Sequence, residues 1–514
     1  MQSVSVSVGV GPLTEDEVVA VARGGAGVVL APDAVVAIAA ARKVVDALAD
    51  DVEPHYGIST GFGALATKHI PVEQRALLQQ SLIRSHAAGS GPEVEREVVR
   101  AMKLLRQTTL ATGHTGVRPA TAATLAALLD NGITPLVREF GSLGCSGDLA
   151  PLAHVALALI GEGTVRGADG IEAAAADVLR AHGLEPVALA EKEGLALING
   201  TDGMLGQLLL ACHDLDLLLR TADITAAMSV EALLGTAAVF AADLQALRPQ
   251  VGQAVSAANL RTLLADSPII ASHAGPDCVY VQDAYSMRCA AQVAGAARDT
   301  LAHARSVAAC ELASAVDNPV VIDGRVESNG NFHGAPVGYV LDFLAIPAAD
   351  VASMSERRTD RMLDVARSRG LPPFLADDPG VDSGHMIAQY TQAALVSELK
   401  RLAVPASVDS IPSSAMQEDH VSMGWSAARK LRRSVDALTR VLAIELLTAA
   451  RALDLRAPLQ PGPATGAVVA ALRERVPGPG PDRHLSPEIE AAVEFVRSGA
   501  AVDAANSALS EPLQ

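Results

Sequence analysis

The sequence predicts a mainly α-helical protein, a bundle of long helices with a smaller N-terminal domain. About one residue in five of the 514 is alanine, the residue with the highest helix propensity. Only 13 residues are aromatic (seven Phe, five Tyr and one Trp), few for a protein built from β-strands. From residue 204 onward, long apolar stretches continue with few interruptions by glycine or proline. These observations together favour helices packed on helices.

The N-terminal part predicts three helical stretches and one glycine-rich loop. Residues 14–17 (Thr-Glu-Asp-Glu) form a capping-box pattern that precedes an apolar helix. A proline and an aspartate at positions 32 and 33 open an alanine-rich helix that ends near Asp51. Three glycines within 57–63 predict a loop, because glycine disfavours helix. Helical patterning resumes over 72–110.

The remainder of the chain changes character twice. Short helices alternate with glycine-rich loops over 113–203, and a segment rich in proline and glycine occupies 458–481, before a last helical region at 487–502. Between them the patterning predicts five long helices, at about 207–246, 283–315, 336–368, 387–403 and 424–456. We therefore predict four parts, namely 1–112, 113–203, 204–456 and 457–514.

Charge and cysteine content exclude several classes of protein. The formal net charge is 40 − 58 = −18, without a basic stripe, which argues against a nucleic-acid partner. The N-terminus lacks a signal-peptide pattern, and the least charged stretch, 225–242, carries Glu231 at its middle, so we expect a buried helix and no membrane span. The cysteines are odd in number and have no CxxC spacing: Cys145, Cys212, Cys278, Cys289 and Cys310. This usage predicts the reducing cytoplasm.

The segment 141–151 (Gly-Ser-Leu-Gly-Cys-Ser-Gly-Asp-Leu-Ala-Pro) allows two interpretations. It is either a loop followed by a helix that Asp148 caps, or a self-modifying turn. In the second case the Gly147 amide nitrogen attacks the Cys145 carbonyl carbon, and the loss of two waters converts Ser146 into an exocyclic methylene. Glycine suits the attacking position because it has no Cβ. The resulting ring would be a strong electrophile.

The segment resembles the Ala-Ser-Gly motif of the aromatic amino acid lyases, which carry a self-made methylidene-imidazolone group, abbreviated MIO. Five further motifs match in the family's order: 55–63 (HYGISTGFG), 197–201 (LINGT), 281–289 (VQDAYSMRC), 330–333 (GNFH) and 417–423 (QEDHVSM). Cys145 departs from the commoner alanine, but it only contributes its carbonyl to the ring. The resemblance covers most of the chain and implies a fumarase/aspartase-like helical core.

The resemblance also implies a reaction and an assembly. The substrate amine would add to the methylene derived from Ser146, and a general base would remove the β-proton. Tyr56 matches the tyrosine that we expect to be this base, and Tyr285 is a second candidate for proton transfer. A phenol has a pKa of about 10, so the site would have to lower it with nearby positive charge or helix N-termini. By resemblance the protein forms a homotetramer whose active sites collect residues from more than one subunit.

Further residues are expected to bind the substrate. By resemblance Arg288 pairs with the substrate carboxylate, and Asn199 bonds that carboxylate or the MIO carbonyl. Gln282 and Tyr285 are three apart, so we expect them on one helical face that lines the site. Phe332 is expected to pack against the MIO ring.

His86 and Glu418 indicate the substrate. A histidine at position 86 can hydrogen-bond an imidazole and suits a phenyl ring poorly, while a carboxylate at 418 accepts from an imidazole N–H. Within the family the chain most resembles members that act on L-histidine. Their reaction is non-oxidative deamination to trans-urocanate and ammonia, the first step of histidine degradation.

Two alternatives remain open. One is a lyase or aminomutase for tyrosine or phenylalanine on the same scaffold, and the other is a non-catalytic helical scaffold with an uncyclised loop. The histidines show no HExxH or comparable spacing, so we predict no protein-bound catalytic metal.

Overall fold

The structure is a computed structural model that describes residues 5–51, 53–275 and 281–514. Cys278 therefore lies outside the described residues. Within them there are 20 α-helices and nine short β-strands, and no sheet there has more than three strands. The predicted mainly α-helical class is confirmed.

Helices occupy most of the described chain. Helices α1 to α8 cover Glu15–Ala22, Pro32–Ala49, Arg75–His86, Arg96–Ala111, Pro119–Asp130, Leu149–Leu159, Ala175–Ala181 and Glu193–Ala196. Helices α9 to α15 cover Asp202–Ala232, Ala242–Ala246, Val251–Leu263, Pro268–Ala271, Tyr285–Arg288, Ala290–Leu312 and Ala335–Leu363. Helices α16 to α20 cover Met386–Leu402, Gly424–Asp454, Pro463–Arg473, Ser486–Arg497 and Ala500–Asn506. The longest, α9 and α17, have 31 residues each, far above the usual three to four turns.

The strands form small sheets. Strands β1 to β9 cover Ser5–Val8, Gly27–Leu30, Ser90–Glu93, Thr134–Pro135, Arg138–Phe140, Thr164–Arg166, Glu172–Ala174, Val320–Ile322 and Arg325–Glu327. Strands β1 and β2 pair in parallel, with Ser5 opposite Gly27. The other pairs are antiparallel: β3 with β5, β6 with both β4 and β7, and β8 with β9.

The chain divides into two compact units. Unit 1 comprises the described residues of Met1–Leu210, Arg305–Asp342 and Pro405–Arg429. Unit 2 comprises those of Ala211–Ala304, Phe343–Val404 and Lys430–Gln514. The division into four consecutive parts stays a prediction.

The predicted starts of the first two helices are confirmed. Thr14 Oγ1 accepts a hydrogen bond from the Glu17 amide at 3.2 Å, and the Glu17 carboxylate accepts from the Thr14 amide at 2.8 Å, which is a complete capping box. Helix α2 begins at Pro32, whose fixed φ suits the first helical turn.

The prediction of one helix over 207–246 is wrong, because α9 ends at Ala232. Leu234 takes a left-handed backbone with φ of +50°, and the Gly235 amide donates to the Val230 carbonyl at 2.7 Å. This is the hydrogen bond of a Schellman motif, with leucine in the position that usually belongs to glycine. The apolar residues after Ala232 therefore continue the hydrophobic pattern without continuing the helix.

Three other predicted segments also differ from the structure. The stretch 72–110 contains α3 and α4 with strand β3 between them, and 283–315 contains the short α13 and the long α14. Helix α18 lies inside the segment 458–481, for which no helix was predicted. It begins at Pro463, after a Gly462 amide that donates to the buried Glu231 carboxylate at 2.7 Å. The Glu231 carboxylate thus hydrogen-bonds the backbone at the start of α18 in unit 2. The same charge argued against a membrane span.

Helix α4 supplies much of the interior of unit 1, since all residues of 98–111 are buried. Its three buried cations each bond a backbone carbonyl. Arg100 Nε donates to Val21 at 2.8 Å, Lys103 Nζ to Ile133 at 2.5 Å, and Arg106 Nη2 to Val316 at 2.7 Å. Burial holds the pKa of Lys103 well below its usual value. The helix thereby bonds three separate stretches of unit 1.

One helix among the described residues, α15, is long and apolar enough to cross a membrane by length and composition. Its apolar window is 61% buried within the protein. Buried helices in protein interiors meet the same criterion, so the helix alone does not indicate a membrane span.

Candidate active site

The candidate ring-forming residues 145–147 lie in a loop of unit 1 that ends where α6 begins. The loop is held by hydrogen bonds on both sides of Gly144. The Gly144 amide donates to Ser142 Oγ at 3.1 Å, and its carbonyl accepts from Ser422 Oγ at 2.7 Å and from the Gly334 amide at 3.2 Å. The motif 417–423 and the residue directly after the motif 330–333 therefore both contact this loop.

Position 147 admits only glycine. Its φ is +72°, and a Cβ built there would lie 2.1 Å from the carbonyl oxygen and 2.3 Å from the carbonyl carbon of Gly200. The next residue, Asp148, donates its amide to the same Gly200 oxygen at 2.7 Å. The chain at 147 is thus pressed against another backbone segment, and only a residue without a Cβ fits there.

Asp148 is the N-cap residue of α6, as the first interpretation expects, although its side chain makes no capping hydrogen bond. Oδ1 instead accepts from Ser142 Oγ at 2.8 Å, and Oδ2 accepts from the Met204 amide at 2.8 Å. Complete burial raises the pKa of Asp148 to about 7. The carboxylate joins the two ends of the loop to the start of α9.

Asn199 holds Ser146. Its Nδ2 donates to the Ser146 carbonyl at 2.9 Å and lies 2.6 Å from Ser146 Oγ. The residue is buried, and its Oδ1 accepts no hydrogen bond from the described residues. A buried amide oxygen of this kind is available to a ligand donor.

A carboxylate lies beside the loop. Glu418 Oε2 accepts from Cys145 Sγ at 3.0 Å and from Ser413 Oγ at 3.0 Å. The negative charge of the same carboxylate acts to raise the pKa of Tyr56 and the pKa of His86. Four of the predicted site residues thus share one neighbourhood within unit 1.

Tyr56 lies in the glycine-rich loop after α2, and its hydroxyl oxygen accepts from the Gly63 amide at 3.2 Å. Burial is the main cause that raises the pKa of Tyr56, and the negative charges of Glu418 and Asp317 add to it. The Gly63 hydrogen bond acts in the opposite direction. The expectation that nearby positive charge lowers the pKa of Tyr56 is therefore wrong within unit 1, where the charges that act on the hydroxyl are negative.

His86 is the last residue of α3. Its Nδ1 lies 2.9 Å from the Leu82 carbonyl oxygen and 3.1 Å from Ser85 Oγ. A carbonyl only accepts, so Nδ1 carries the proton and Nε2 is the acceptor of the neutral ring. Burial lowers the pKa of His86, which keeps the ring neutral near pH 7.

Phe332 is half-buried in the loop 330–333, which a pair of histidines links to the loop of Glu418. His333 Nε2 lies 3.1 Å from His420 Nδ1, and the rings stack with centroids 5.2 Å apart. Burial and the charge of His420 both lower the pKa of His333. Both histidines lie inside recognised motifs, but no role was predicted for either of them.

Unit 2 holds the other three predicted residues, Gln282, Tyr285 and Arg288. Gln282 precedes α13, so the expected shared helical face with Tyr285 is wrong. Tyr285 is 70% exposed, and the Arg288 guanidinium lies over its ring at 4.8 Å from the centroid. Arg288 Nε is buried without a hydrogen-bond partner among the described residues.

A cavity of about 570 Å³ lies in unit 1 next to the loop of Phe332. Its walls are formed by His114, Glu311, Ser314, Ala315, Val316, Val320, Ile322, Gly330, Asn331, His333 and Pro336. Glu311 also accepts a hydrogen bond from the Thr201 hydroxyl, in the motif of Asn199. The described ranges contain no group of three or more His, Cys, Asp or Glu side chains that could hold a metal ion.

The structure adds site residues that the sequence did not indicate. Ser413 and Ser142 each donate to a carboxylate of the site, and Gly200 forms the surface on which Gly147 packs. Ser413 lies outside every recognised motif, so nothing local marked it. Gly200 and Ser142 lie within motifs, and only the fold shows what they contact.

Comparison with known proteins identifies the family. A family model described as aromatic amino acid lyase matches residues 13–474. A histidine ammonia-lyase from Streptomyces avermitilis is 66% identical over 505 residues, which cover 98% of each chain. Among solved structures, a tyrosine aminomutase from Streptomyces globisporus has a TM-score of 0.94 at 38% identity and covers 99% of this chain and 100% of its own. A histidine ammonia-lyase from Trypanosoma cruzi has a TM-score of 0.91 at 39% identity, covering 99% of this chain and 96% of its own.

The family match spans far more than half of the chain, and the identity to the Streptomyces relative extends over nearly all of it. The resemblance seen in the sequence motifs is thereby confirmed: the chain belongs to the aromatic amino acid lyase family.

Proposed function

We propose that this chain catalyses the histidine ammonia-lyase reaction, the non-oxidative deamination of L-histidine to trans-urocanate and ammonia, which opens histidine degradation. The observation that carries the proposal is the pair of acceptors formed by His86 and Glu418 beside the ring-forming loop. Relatives with that name at 65% and 66% identity over 98% of the chain support it.

The acceptors match an imidazole. His86 Nε2 is the free acceptor of a neutral ring, and Glu418 Oε1 accepts no hydrogen bond from the described residues. A neutral imidazole can donate its one N–H to either atom, and an imidazolium can donate to both, whereas a phenyl ring can donate to neither. Because a bound phenyl ring would take these polar atoms out of water without giving them a hydrogen bond, the site should discriminate against phenylalanine.

The residues at 145–147 fit the MIO group. Gly147 has no Cβ and no room for one, and Asn199 holds both the carbonyl and the hydroxyl oxygen of Ser146. When formed from Cys145, Ser146 and Gly147, the group supplies an electrophilic methylene for the substrate amine. Asn199 Nδ2 would keep Ser146 oriented in the loop. The Oδ1 atom of Asn199 is free to accept a hydrogen bond from a ligand.

Tyr56 is our candidate for the base that removes the β-proton. Its hydroxyl oxygen already accepts a backbone N–H, which favours the phenolate, but burial and two carboxylates favour the neutral phenol. We therefore propose that positive charge from outside unit 1 lowers the pKa of Tyr56. Arg288 of a neighbouring subunit is the group we assign to this role.

We propose that the site is completed in a homotetramer. Gln282, Tyr285 and Arg288 would come from a neighbouring subunit, with Arg288 binding the substrate carboxylate and Tyr285 a second candidate for proton transfer. The exposure of Tyr285 supports this, because this proposed site residue is 70% exposed to solvent in the single chain. Phe332 is proposed to pack on the MIO ring, and the cytoplasm is the proposed compartment.

The reaction is tested by the ultraviolet absorbance of the conjugated product when purified protein meets L-histidine. Ser146→Ala should abolish turnover and keep the fold, and its intact mass should no longer show the loss of two waters. Tyr56→Phe should retain that mass loss and lower kcat by roughly 10²- to 10⁴-fold, the usual contribution of a general base. A wild-type protein of unmodified mass and without product would leave only the non-catalytic scaffold.

A further inference from the structure

The two oxygens of the Glu418 carboxylate have different surroundings. Oε2 accepts from two donors, Cys145 Sγ and Ser413 Oγ, each at 3.0 Å. Oε1 accepts from none of the described residues. The carboxylate is therefore held through one oxygen while the other stays available.

The two donors hold Glu418 in different ways. Ser413 lies in the same turn, since the Ser413 amide donates to the Glu418 carbonyl at 2.8 Å and the Glu418 amide to the Ser413 carbonyl at 3.3 Å. Cys145 comes from 273 residues away along the chain. Among the hydrogen bonds that described residues make to this carboxylate, only the one from the thiol joins it to the ring-forming loop.

The surroundings of Cys145 keep the thiol protonated. The residue is 7% exposed, and burial together with the adjacent carboxylate raises its pKa to about 12. A neutral thiol is a donor, so its hydrogen points at an oxygen that can only accept. An alanine at this position could not donate.

We propose that Cys145 is a positioning residue for substrate recognition: its thiol fixes Glu418 against the ring-forming loop and so sets the distance from Ser146 to the oxygen that receives the imidazole. The inference rests on the proposed function, because it takes Glu418 as the imidazole acceptor. The side chain of residue 145 is not consumed in ring formation, since that step uses its carbonyl carbon. The thiol is therefore retained beside the electrophile.

Two substitutions at position 145 separate the effect of the hydrogen-bond donor from the effect of side-chain volume. Cys145→Ala removes the donor, and Cys145→Ser keeps a hydroxyl donor of similar size. We expect Cys145→Ala to raise KM for L-histidine by roughly 5- to 10-fold, the effect of about one hydrogen bond, with kcat within about twofold. Cys145→Ser should return KM towards the wild-type value.

Binding without turnover gives an independent readout. In a Ser146→Ala background, the affinity for trans-urocanate measured by calorimetry should fall on adding Cys145→Ala and recover on adding Cys145→Ser instead. The matched control is Cys212→Ala, a fully buried cysteine in unit 2, which should leave KM unchanged. Intact masses of the position-145 variants with Ser146 present should still show the loss of two waters.

The outcomes separate the two proposals. Wild-type turnover of L-histidine with unchanged KM and product affinity in Cys145→Ala overturns this inference alone. Equal defects in the alanine and serine variants also overturn it, because volume and not donation would then matter. Absence of trans-urocanate from the wild-type reaction overturns the proposed function and this inference with it.

Discussion

Replacing Gly147 by alanine perturbs the ring-forming loop at its tightest point. The added Cβ would lie 2.1 Å from the Gly200 oxygen, 2.3 Å from its carbon and 2.7 Å from its nitrogen, all of them backbone atoms. Gly200 is itself tightly packed, because a Cβ built on it would lie 2.7 Å from Arg106 Nη1 and 2.4 Å from Asp202 Oδ2. The loop must therefore move away from its partner segment.

Three costs determine the size of the effect. A left-handed backbone costs alanine about 1 to 2 kcal/mol. Overpacking of a rigid site adds about 1 to 3 kcal/mol. Displacing the Gly200 carbonyl breaks the 2.7 Å hydrogen bond from the Asp148 amide, worth about 1 kcal/mol. The sum, about 3 to 6 kcal/mol, is a large part of the stability of an ordinary domain.

Intact-protein mass spectrometry and thermal unfolding measure both consequences. Gly147→Ala should show the full unmodified mass and a lowered Tm, because the loop no longer presents the nitrogen of residue 147 to Cys145. Gly183→Ala is the matched control, since Gly183 has φ of +67° and no atom within 4 Å of an added Cβ. Gly183→Ala should be destabilised only by the cost of a left-handed alanine, about 1 to 2 kcal/mol, and its mass should still show the loss of two waters. Loss of two waters in Gly147→Ala at the wild-type Tm would refute the reasoning.

Substitutions at three further sites, namely His86, His385 and the Lys192–Asp317 pair, give further predictions. His86→Phe should raise KM for L-histidine about tenfold through a lost hydrogen bond and admit phenylalanine, as steady-state kinetics would show, and an unchanged KM would contradict it. Burial lowers the pKa of His385 to about 3. Below about pH 6.5 the unfolded chain therefore binds a proton at this histidine that the folded chain does not bind. As a result, the free energy of unfolding falls towards acid pH by up to about 1.4 kcal/mol per pH unit. His385→Gln should make the fall in Tm between about pH 7 and about pH 5 shallower, and an equal fall would count against this assignment. Lys192 and Asp317 form a fully buried pair at 2.6 Å, so Lys192→Met should cost about 3 to 5 kcal/mol in denaturant unfolding and Lys192→Met/Asp317→Asn clearly less, whereas equal costs would contradict the pairing.

The long helices were predictable where pattern and end signals agree. Helix α16 (Met386–Leu402) was expected at 387–403 and α17 (Gly424–Asp454) at 424–456. Helix α9 was overextended because leucine, not glycine, takes the left-handed position after Ala232, so no local signal marks its end. Helix α18 was missed within a proline-rich segment, although Pro463 after Gly462 is an ordinary helix start.

The site was predictable in its motifs and not in its contacts. The motifs containing Tyr56, Ser146 and Glu418 were all recognised, yet the bond from Cys145 to Glu418 joins residues 273 apart and needs the fold. The Tyr56 surroundings went against expectation, because the carboxylates and the burial around it arise from distant segments. Local pattern thus identifies chemical types, and tertiary structure decides their charge and partners.

The central claim is that two acceptors, His86 and Glu418, select an imidazole substrate on the aromatic amino acid lyase scaffold. It is tested most directly by comparing kcat/KM of the wild-type protein for L-histidine, L-tyrosine and L-phenylalanine in one absorbance assay. The account predicts trans-urocanate from L-histidine and no appreciable product from the other two. Product from L-tyrosine with none from L-histidine would contradict it.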